Sequence, residues 1–318
     1  MSQDIYVVIE HLQGNVSDIS YVMLAAGRVL SQWTGGNLVA VLLGHNAKES
    51  TSNLNADTVH YFDHSTLKEF TSDAFLNVLS PYIKENLPRA VLLGHTSIGM
   101  DIAGGLSVRS DLPLVSQCHS FSTDGKFISQ ICGGKIMVEG ELPEPSTIVT
   151  MLPGGYKPEE GQSDQAPEVI EASVPALEEG RVLLREYIEP EAGDVDISKA
   201  EVLIALGRGL QNEGDLELAE ELAEALGGAV CASRPIVDQG WLSKSRLVGK
   251  SGKSVKPTLY FALGISGAPE HVEALLDSEL IIAVNTDPNA PIYNVAKYGA
   301  EVDLIDFLMA LTPLVQSN

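Results

Sequence analysis

The stretch "LVGKSGKSVKP", residues 247–257, gathers groups able to meet a phosphate or a polar ring: two glycines, two serines and a set of lysines. Gly252-Lys253-Ser254 spells the end of a phosphate loop, in which backbone N–H groups and a lysine hold the phosphates of a nucleotide. The full pattern needs a glycine five residues before Gly252, and Leu247 stands there. It also needs a helix directly after the Lys-Ser pair. Pro257 follows almost at once and breaks such a helix through its ring and its missing donor. The next residues, "TLYFALG" (258–264), read as a strand. The turn is therefore not the phosphate loop of a nucleotide hydrolase.

Other strand ends in the last third of the chain share its character. They are Gly207-Arg208-Gly209, Ser233-Arg234, the turn Gly249-Lys250-Ser251-Gly252 itself, Gly264 to Gly267 with Ser266 among them, and Asn285-Thr286-Asp287. In a parallel sheet such ends lie along one edge. Glycines there let a ligand touch the backbone, and the N–H groups at the helix start after "GISGAP", around Ala268, attract an anion. Arg208 and Arg234 can neutralise phosphates with forked donors. Asp303, expected at the end of the last strand, can accept from a ribose hydroxyl. Together these describe a dinucleotide site without the usual GxGxxG after the first strand. Taken singly, each has a plainer reading. Gly207 and Gly209 suit tight turns, Arg208 a solvated surface, and Asp303 a cap. His271 suits a neutral surface histidine in an early helical turn, where the dipole disfavours positive charge. Convergence on one edge is what raises the site above its parts.

No catalytic apparatus accompanies it. The chain has no GxSxG elbow, no HExxH and no paired carboxylates around a glycine-rich cleft. Such a chain is built to hold a cofactor whose own chemistry does the work. Forty-three acidic against 20 basic residues give a net charge of −23, which repels nucleic acid and anionic lipid. The three cysteines, Cys118, Cys132 and Cys231, form no CxxC, so zinc or a cysteine-held iron–sulfur cluster is not expected. Their odd, sparse count suits a reducing compartment. No leader and no membrane-length apolar run is legible, so the expected location is the cytoplasm, or the mitochondrial matrix for a mature chain.

The elements that must position these residues follow from periodicity. In the first half, strands at 5–11, 37–44, 58–64 and 89–95 alternate with helices at 19–33 and 71–87 and a weaker one after the second strand. That alternation predicts a parallel sheet with helices on both faces. "VLLGH" occurs twice, at 41–45 and 91–95, as two equivalent strands ending at one edge, with His45 and His95 read as loop residues. After residue 110, short strands with turn signals at Asp124-Gly125 and Gly133-Gly134 suggest an antiparallel addition. Residues 153–180 read as a loop or extended arm, 181–190 as one more strand, and "EAGDVD" as the linker. A second doubly wound unit then has strands at 200–210, 258–264, 280–287 and a short last one in "AEVDLI", with helices at 214–227 and 268–277 and a closing helix in "DFLMALTPLV". The expected fold is α/β: two doubly wound domains with mainly parallel sheets, spanning 1–193 and 194–318.

"GRGL", "ASRPIVDQGW", "LVGKSGKSVKPTLYFALGISGAPEH" and "VNTDPNAPI", in this order, resemble the alpha subunit of electron transfer flavoprotein. The likeness covers the whole second domain. It extends more loosely through the first, from "VVIEH" to "VLLGHTSIGMDIAGGLSVRSDLPLV". It implies FAD in a Rossmann-like C-terminal domain. It also implies an N-terminal domain packed on a beta subunit that carries AMP or a second FAD. Carried over by position, Arg208 lies close to the cofactor, Ser233 at its phosphates and Arg234 near the isoalloxazine. Ser251 brings a hydroxyl to flavin N5, within the loop Gly249, Lys250, Ser251, Gly252. His271 donates to the C2 carbonyl. Ser266, Gly267 and Ala268, with Gly264 before them, serve the pyrophosphate. Asn285, Thr286, Asp287 and Asp303 hold the adenosine end. Two residues depart from the family's "VGQTG": Lys250 replaces glutamine and Ser251 replaces threonine.

The resemblance implies an electron carrier, not an enzyme in its own right. It would take electrons from acyl-CoA dehydrogenases or similar flavoenzymes, as in fatty acid oxidation, and pass them to a membrane quinone oxidoreductase. A bifurcating complex working with NADH and ferredoxin is the variant, decided largely by the beta subunit. Two readings of other classes are an NAD-dependent enzyme, supported only by the glycine-rich edge, and an adenine-nucleotide sensor using the first domain. The sensor would need phosphate-loop chemistry after "IYVVIEH", where "LQGNVSD" has one glycine.

Overall fold

The computed structural model describes residues 2–132, 136–177, 182–187 and 195–317. The chain divides into two compact units, Met1–Tyr187 and Ile188–Asn318. The boundary expected at 193/194 lies outside the described residues.

In the first unit, the apolar run at the N-terminus forms β1 (Ile5–Val8), buried at every residue. A small hairpin, β2 (His11–Leu12) and β3 (Asn15–Val16), leads into α1 (Asp18–Thr34). Gly35, at φ 73°, caps α1 by returning its N–H to the Ser31 carbonyl at 2.8 Å, a left-handed turn that costs glycine little. β4 (Leu38–Gly44), β5 (Thr58–Asp63), α2 (Ser72–Asn86), β6 (Ala90–Gly94) and α3 (Ser97–Ser110) follow. Then come β7 (Leu114–Phe121), β8 (Phe127–Ile131), β9 (Ile136–Gly140), β10 (Thr147–Met151) and β11 (Glu168–Glu171). The sheet runs β11-β5-β4-β1-β6-β10-β7-β8-β9. Only β7–β8 and β8–β9 are antiparallel. Its two faces carry separate cores, with Ile5 and Val7 in one and Tyr6 and Val8 in the other. That is the alternation of a strand covered on both sides.

Several expectations are corrected here. The weak helix after β4 is a single 3-10 turn, Lys48–Thr51. The antiparallel addition is real for β7–β9, but β10 lies parallel between β6 and β7. The arm at 153–180 holds β11, which pairs with β5 at the far edge of the sheet; four residues with charged ends carry too little pattern to be read alone. Over 182–187 the expected strand is absent, while residues 181 and 188–190 lie outside the described residues, as does the turn at Gly133-Gly134. Helix α3 went unread because two adjacent glycines, Gly104 and Gly105, interrupt its pattern. Packing demands glycine at two positions of this helix, though not at Gly104: a Cβ on Gly105 would lie 2.5 Å from Leu76, and one on Gly99 1.9 Å from the Gly94 carbonyl.

The second unit contains β12 (Val202–Leu206), α4 (Leu216–Ala225), β13 (Ala229–Ala232), α5 (Arg234–Asp238), β14 (Leu259–Leu263), α6 (Pro269–Val272), β15 (Leu280–Asn285), β16 (Tyr298–Glu301) and α7 (Leu304–Gln316). All five strands are parallel, in the order β13-β12-β14-β15-β16. The chain winds from β12 outward to β13, then crosses to β14 on the other side. The carboxyl edge at that reversal is where open α/β sheets bind ligands. The helix expected over 268–277 shrinks to the one turn of α6. The last strand ends two residues before Asp303, whose carboxylate instead caps α7 by accepting from Ile305 N–H at 2.8 Å.

Candidate cofactor site

A cavity of about 630 Å³ opens at the carboxyl edge of the second sheet, within the size range of small-molecule and cofactor sites. Each wall begins where a strand stops. After β12 come Arg208 and Gly209; after β13, Ser233 and Arg234; after β14, Gly264, Ser266 and Ala268; after β15, Asn285 and Asp287. The turn at 249–251 and His271 complete the lining. Strand ends and turns from distant parts of the chain thus converge on one space.

Residues 249–252 form a β-turn, with Gly252 N–H donating to the Gly249 carbonyl at 2.8 Å. Gly249 sits at φ 143°, and a Cβ on Gly252 would lie 2.3 Å from the Leu247 carbonyl. Lys250 and Ser251 therefore occupy its apex. Two ties hold it: Val248 N–H donates to the Ala232 carbonyl at 2.9 Å, and Lys250 N–H to the Glu270 carbonyl at 2.7 Å. Lys253, the residue that suggested a phosphate loop, points elsewhere. Its ammonium pairs with Asp196 at 2.7 Å, and that pairing with a hydroxyl from Ser198 holds the Asp196 carboxyl down to about 2.

Arg234 is fixed on two sides. Nε donates to Asp238 at 2.7 Å and Nη1 to the Ser251 hydroxyl at 3.1 Å. Ser233 is buried, its hydroxyl directed to the Leu206 carbonyl at 3.3 Å. Close packing opens the floor: a Cβ on Gly207 would lie 2.3 Å from the Gly264 carbonyl, and one on Gly264 2.7 Å from the Gly209 Cα. Asn285 braces the loop after β14, donating to the Ile265 carbonyl at 2.9 Å.

Four expected residues do not line the cavity. Gly252 and Gly267 act through backbone packing, the latter against Ile292, where a Cβ would lie 2.2 Å from the amide nitrogen. Thr286 is exposed beside the cavity-lining Asn285 and Asp287. Asp303 is the α7 cap. Pro235, Leu247, Val248, Ile265, Glu270 and Ala290 line the cavity without having been singled out. Most are apolar or contribute backbone, and nothing in their types advertises a site.

His271 is buried, not a surface residue. Nδ1 lies 3.0 Å from the Val248 carbonyl and Nε2 2.9 Å from the Tyr260 hydroxyl. Burial pushes the imidazole down to about 4, so it is neutral at ordinary pH. The donor role implied by the resemblance needs an N–H free of these two partners.

The first unit's switch point, between β1 and β6, differs in character. Glu10 fills it, buried, with the Thr96 hydroxyl 2.7 and 2.9 Å from its two oxygens and burial raising its carboxyl. The space left is about 20 Å³, room for about one water. His45 contacts Asp63 and His95 contacts Thr150, each at 3.0 Å. Among the described residues no cluster could hold a metal ion.

A parallel α/β sheet with a basic, glycine-floored cavity at its switch point defines a cofactor-binding protein of the nucleotide type. Comparison with known proteins makes this specific. Residues 5–177 match the electron transfer flavoprotein domain, and residues 196–275 the electron transfer flavoprotein FAD-binding domain. The chain is 31% identical to the electron transfer flavoprotein subunit alpha of Bacillus subtilis, covering 98% of this chain and 97% of that one. It is 34% identical to protein FixB of Clostridium saccharobutylicum, over 96% and 94% of the two chains. The lactate dehydrogenase (NAD(+),ferredoxin) subunit LctC of Acetobacterium woodii is 32% identical, over 98% of this chain and 77% of its own. The chain belongs to the electron transfer flavoprotein family, as an alpha subunit, and FAD is its cofactor. The residues present fit that group: two arginines and a lysine for negative charge, bare backbone for close approach, and a cavity of the right order of size.

Proposed function

We propose that this subunit holds FAD at the carboxyl edge of its second sheet and works with a beta subunit to exchange electrons with flavoenzymes of the acyl-CoA dehydrogenase type. The onward acceptor in this reading is a membrane quinone oxidoreductase, and its setting is the cytoplasm. One observation carries it: the cavity gathers Arg208, Arg234, Lys250 and Ser251 over strand ends bared by glycine at one edge of the sheet. Such a wall tunes and orients a cofactor; it does not itself transform a substrate. The flavin supplies the electron chemistry when bound. The chain supplies positive charge for the diphosphate and for negative charge on the ring, and the Arg234–Ser251 pair sets where that charge sits.

A second reading, a bifurcating complex coupling NADH and ferredoxin, draws on the relative named as an NAD- and ferredoxin-dependent lactate dehydrogenase subunit. Another relative, 33% identical, is the acryloyl-CoA reductase electron transfer subunit beta of Anaerotignum propionicum. The test is co-expression with the neighbouring subunit, an absorption spectrum, and stepwise reduction in the presence of candidate donors. One FAD per heterodimer, reduced by an acyl-CoA dehydrogenase, supports the carrier. Two FAD with NADH as reductant support bifurcation. Flavin that no acyl-CoA dehydrogenase reduces overturns the first reading.

A further inference from the structure

Helices α4 and α7 lie side by side on one face of the second sheet, over a shared core that includes Ala219, Leu222, Leu304 and Leu308. The composition of this layer is one-sided. Residues 209–233 hold six carboxylates and residues 298–318 three, and neither stretch has a lysine, arginine or histidine. All 20 basic residues of the chain lie elsewhere. On α4, Glu217, Glu220, Glu221 and Glu224 are exposed at i, i+3, i+4 and i+7, a single helix face. Among the described residues none of the four has an ion-pair partner.

These charges do not help the helix that carries them. Glu217 with Glu221 and Glu220 with Glu224 are like-charged pairs one turn apart, which destabilise a helix. Glu221 and Glu224 also stand in the second half of α4, where the dipole disfavours negative charge. Water and salt screen such a ridge, so solvation alone permits it. The neighbouring helix gives it a further use. On α7, Met309, Ala310, Pro313 and Leu314 recur at helical spacing on the outer side and are all exposed, Met309 at 62% and Leu314 at 63%. No charged residue follows Asp306 in α7. An apolar stripe is thus bordered by an uncompensated acidic ridge. An apolar centre with a polar rim is the anatomy of a protein-binding surface, whereas carboxylates repel nucleic acid and anionic lipid.

We propose that the α4–α7 layer is a docking face for a protein partner that presents an apolar anchor ringed by lysine and arginine. The stripe on α7 supplies contact area. The ridge on α4 supplies steering and register, the main effects of charge at the rim of an interface. A basic partner also relieves the repulsion along α4. The layer is distinct from the cavity walls yet joined to their floor: Leu304, the first residue of α7, packs so close to Gly264 that a Cβ there would lie 2.7 Å from Leu304 Cδ2. A partner seated on α7 therefore rests on the helix that supports the cavity floor. The docking face stands on its own geometry, whether or not the cofactor reading holds.

The experiment is a fluorescence anisotropy titration of the FAD-loaded heterodimer with a labelled helical peptide, leucine on one face and lysine on its flanks. A twin peptide with glutamate for lysine is the control. The lysine peptide is expected to bind, less tightly as salt rises, and the glutamate peptide not to bind. Glu217→Gln, Glu220→Gln, Glu221→Gln and Glu224→Gln together weaken binding roughly tenfold at low salt, as the loss of several exposed charge pairs implies. Met309→Ser or Leu314→Ser weakens it roughly fivefold through lost apolar burial. Glutamine at four exposed glutamates of the first unit, Glu141, Glu144, Glu159 and Glu160, changes the net charge equally and leaves the affinity within about twofold. Equal weakening by both sets would show adhesion to net charge and overturns the proposal. So does binding that ignores Met309 and Leu314. Absence of binding to the heterodimer overturns it too, because a beta subunit or a second copy then covers the face. Urea unfolding adds an independent readout: the α4 glutamine variant is expected to be at least as stable as the parent, and a clear loss would assign the carboxylates to the fold and overturn the proposal. A chain that holds no flavin counts against the cofactor reading alone, and the titration is then read on the apo-heterodimer.

Discussion

Arg234 and Ser251 are 17 residues apart in the chain, yet Nη1 of one donates to Oγ of the other at 3.1 Å. The first residue follows β13, and the second crowns the turn before β14. Asp238, four residues along α5, accepts from Nε–H at 2.7 Å, so the guanidinium is aimed from two sides. A planar fork held this way delivers charge at a fixed place, which a flexible lysine does not.

Replacement of Arg234 by alanine removes that charge and frees the serine hydroxyl. Hydrogen bonds to charged groups contribute about 1.5–3 kcal/mol, so FAD binding weakens by roughly 10- to 150-fold. Fluorescence titration of the apo-heterodimer checks this. Affinity within twofold of the parent would show that Arg234 does not face the cofactor.

Lys250→Gln restores the residue usual in the family at the apex of the turn. If the lysine faces the ring, loss of its charge disfavours anionic reduced flavin. The potential then falls by an amount on the order of tens of millivolts, as expected for a unit charge in a partly solvated site. Potentiometry that returns an equal or higher potential rejects the role.

Lys253 gives the opposite result. Its ammonium is paired with Asp196, and the pair is partly exposed, so Lys253→Ala costs under about 1 kcal/mol of stability. FAD affinity stays the same. A large loss of affinity would revive the phosphate-loop reading of Gly252-Lys253-Ser254.

Gly264 and Gly227 both lie at φ +64°, but only Gly264 is enclosed, with Gly209 Cα and Leu304 Cδ2 each 2.7 Å from an added Cβ. Gly227→Ala carries the left-handed cost alone, roughly 1–2 kcal/mol. Gly264→Ala adds a clash with backbone and distorts the cavity floor. Urea unfolding followed in the second domain ranks the two; equal losses would show that the floor yields.

Acid destabilises the second domain through His271. Its folded value, about 4, lies below that of the unfolded chain. The unfolded state therefore binds more protons between about pH 6.5 and pH 4, and stability falls as pH drops through that window. The full effect is on the order of 3 kcal/mol. His271→Gln flattens this slope between pH 7 and 5. An unchanged slope means that the imidazole is not buried as a neutral ring.

Much of this was legible in the residues. Continuous apolar runs such as "VLLGH" specify strands covered on both faces, and the strand ends rich in glycine and arginine mark one edge of a parallel sheet. Thirteen of the residues named from the sequence line the cavity. The reason is that strand periodicity and glycine punctuation are local signals. Other features depend on partners far away in the chain. β11 is a strand only because β5 offers it an edge, and α3 keeps Gly105 and Gly99 because Leu76 and the Gly94 carbonyl press against them. Asp303 could be a ribose acceptor or a cap until the end of β16 placed it at the start of α7. Most of all, the tertiary structure decided the surroundings of His271. Its burial lowers the imidazole to about 4, and its ring lies between the Val248 carbonyl and the Tyr260 hydroxyl, surroundings brought to it by folding and invisible in the order of the residues.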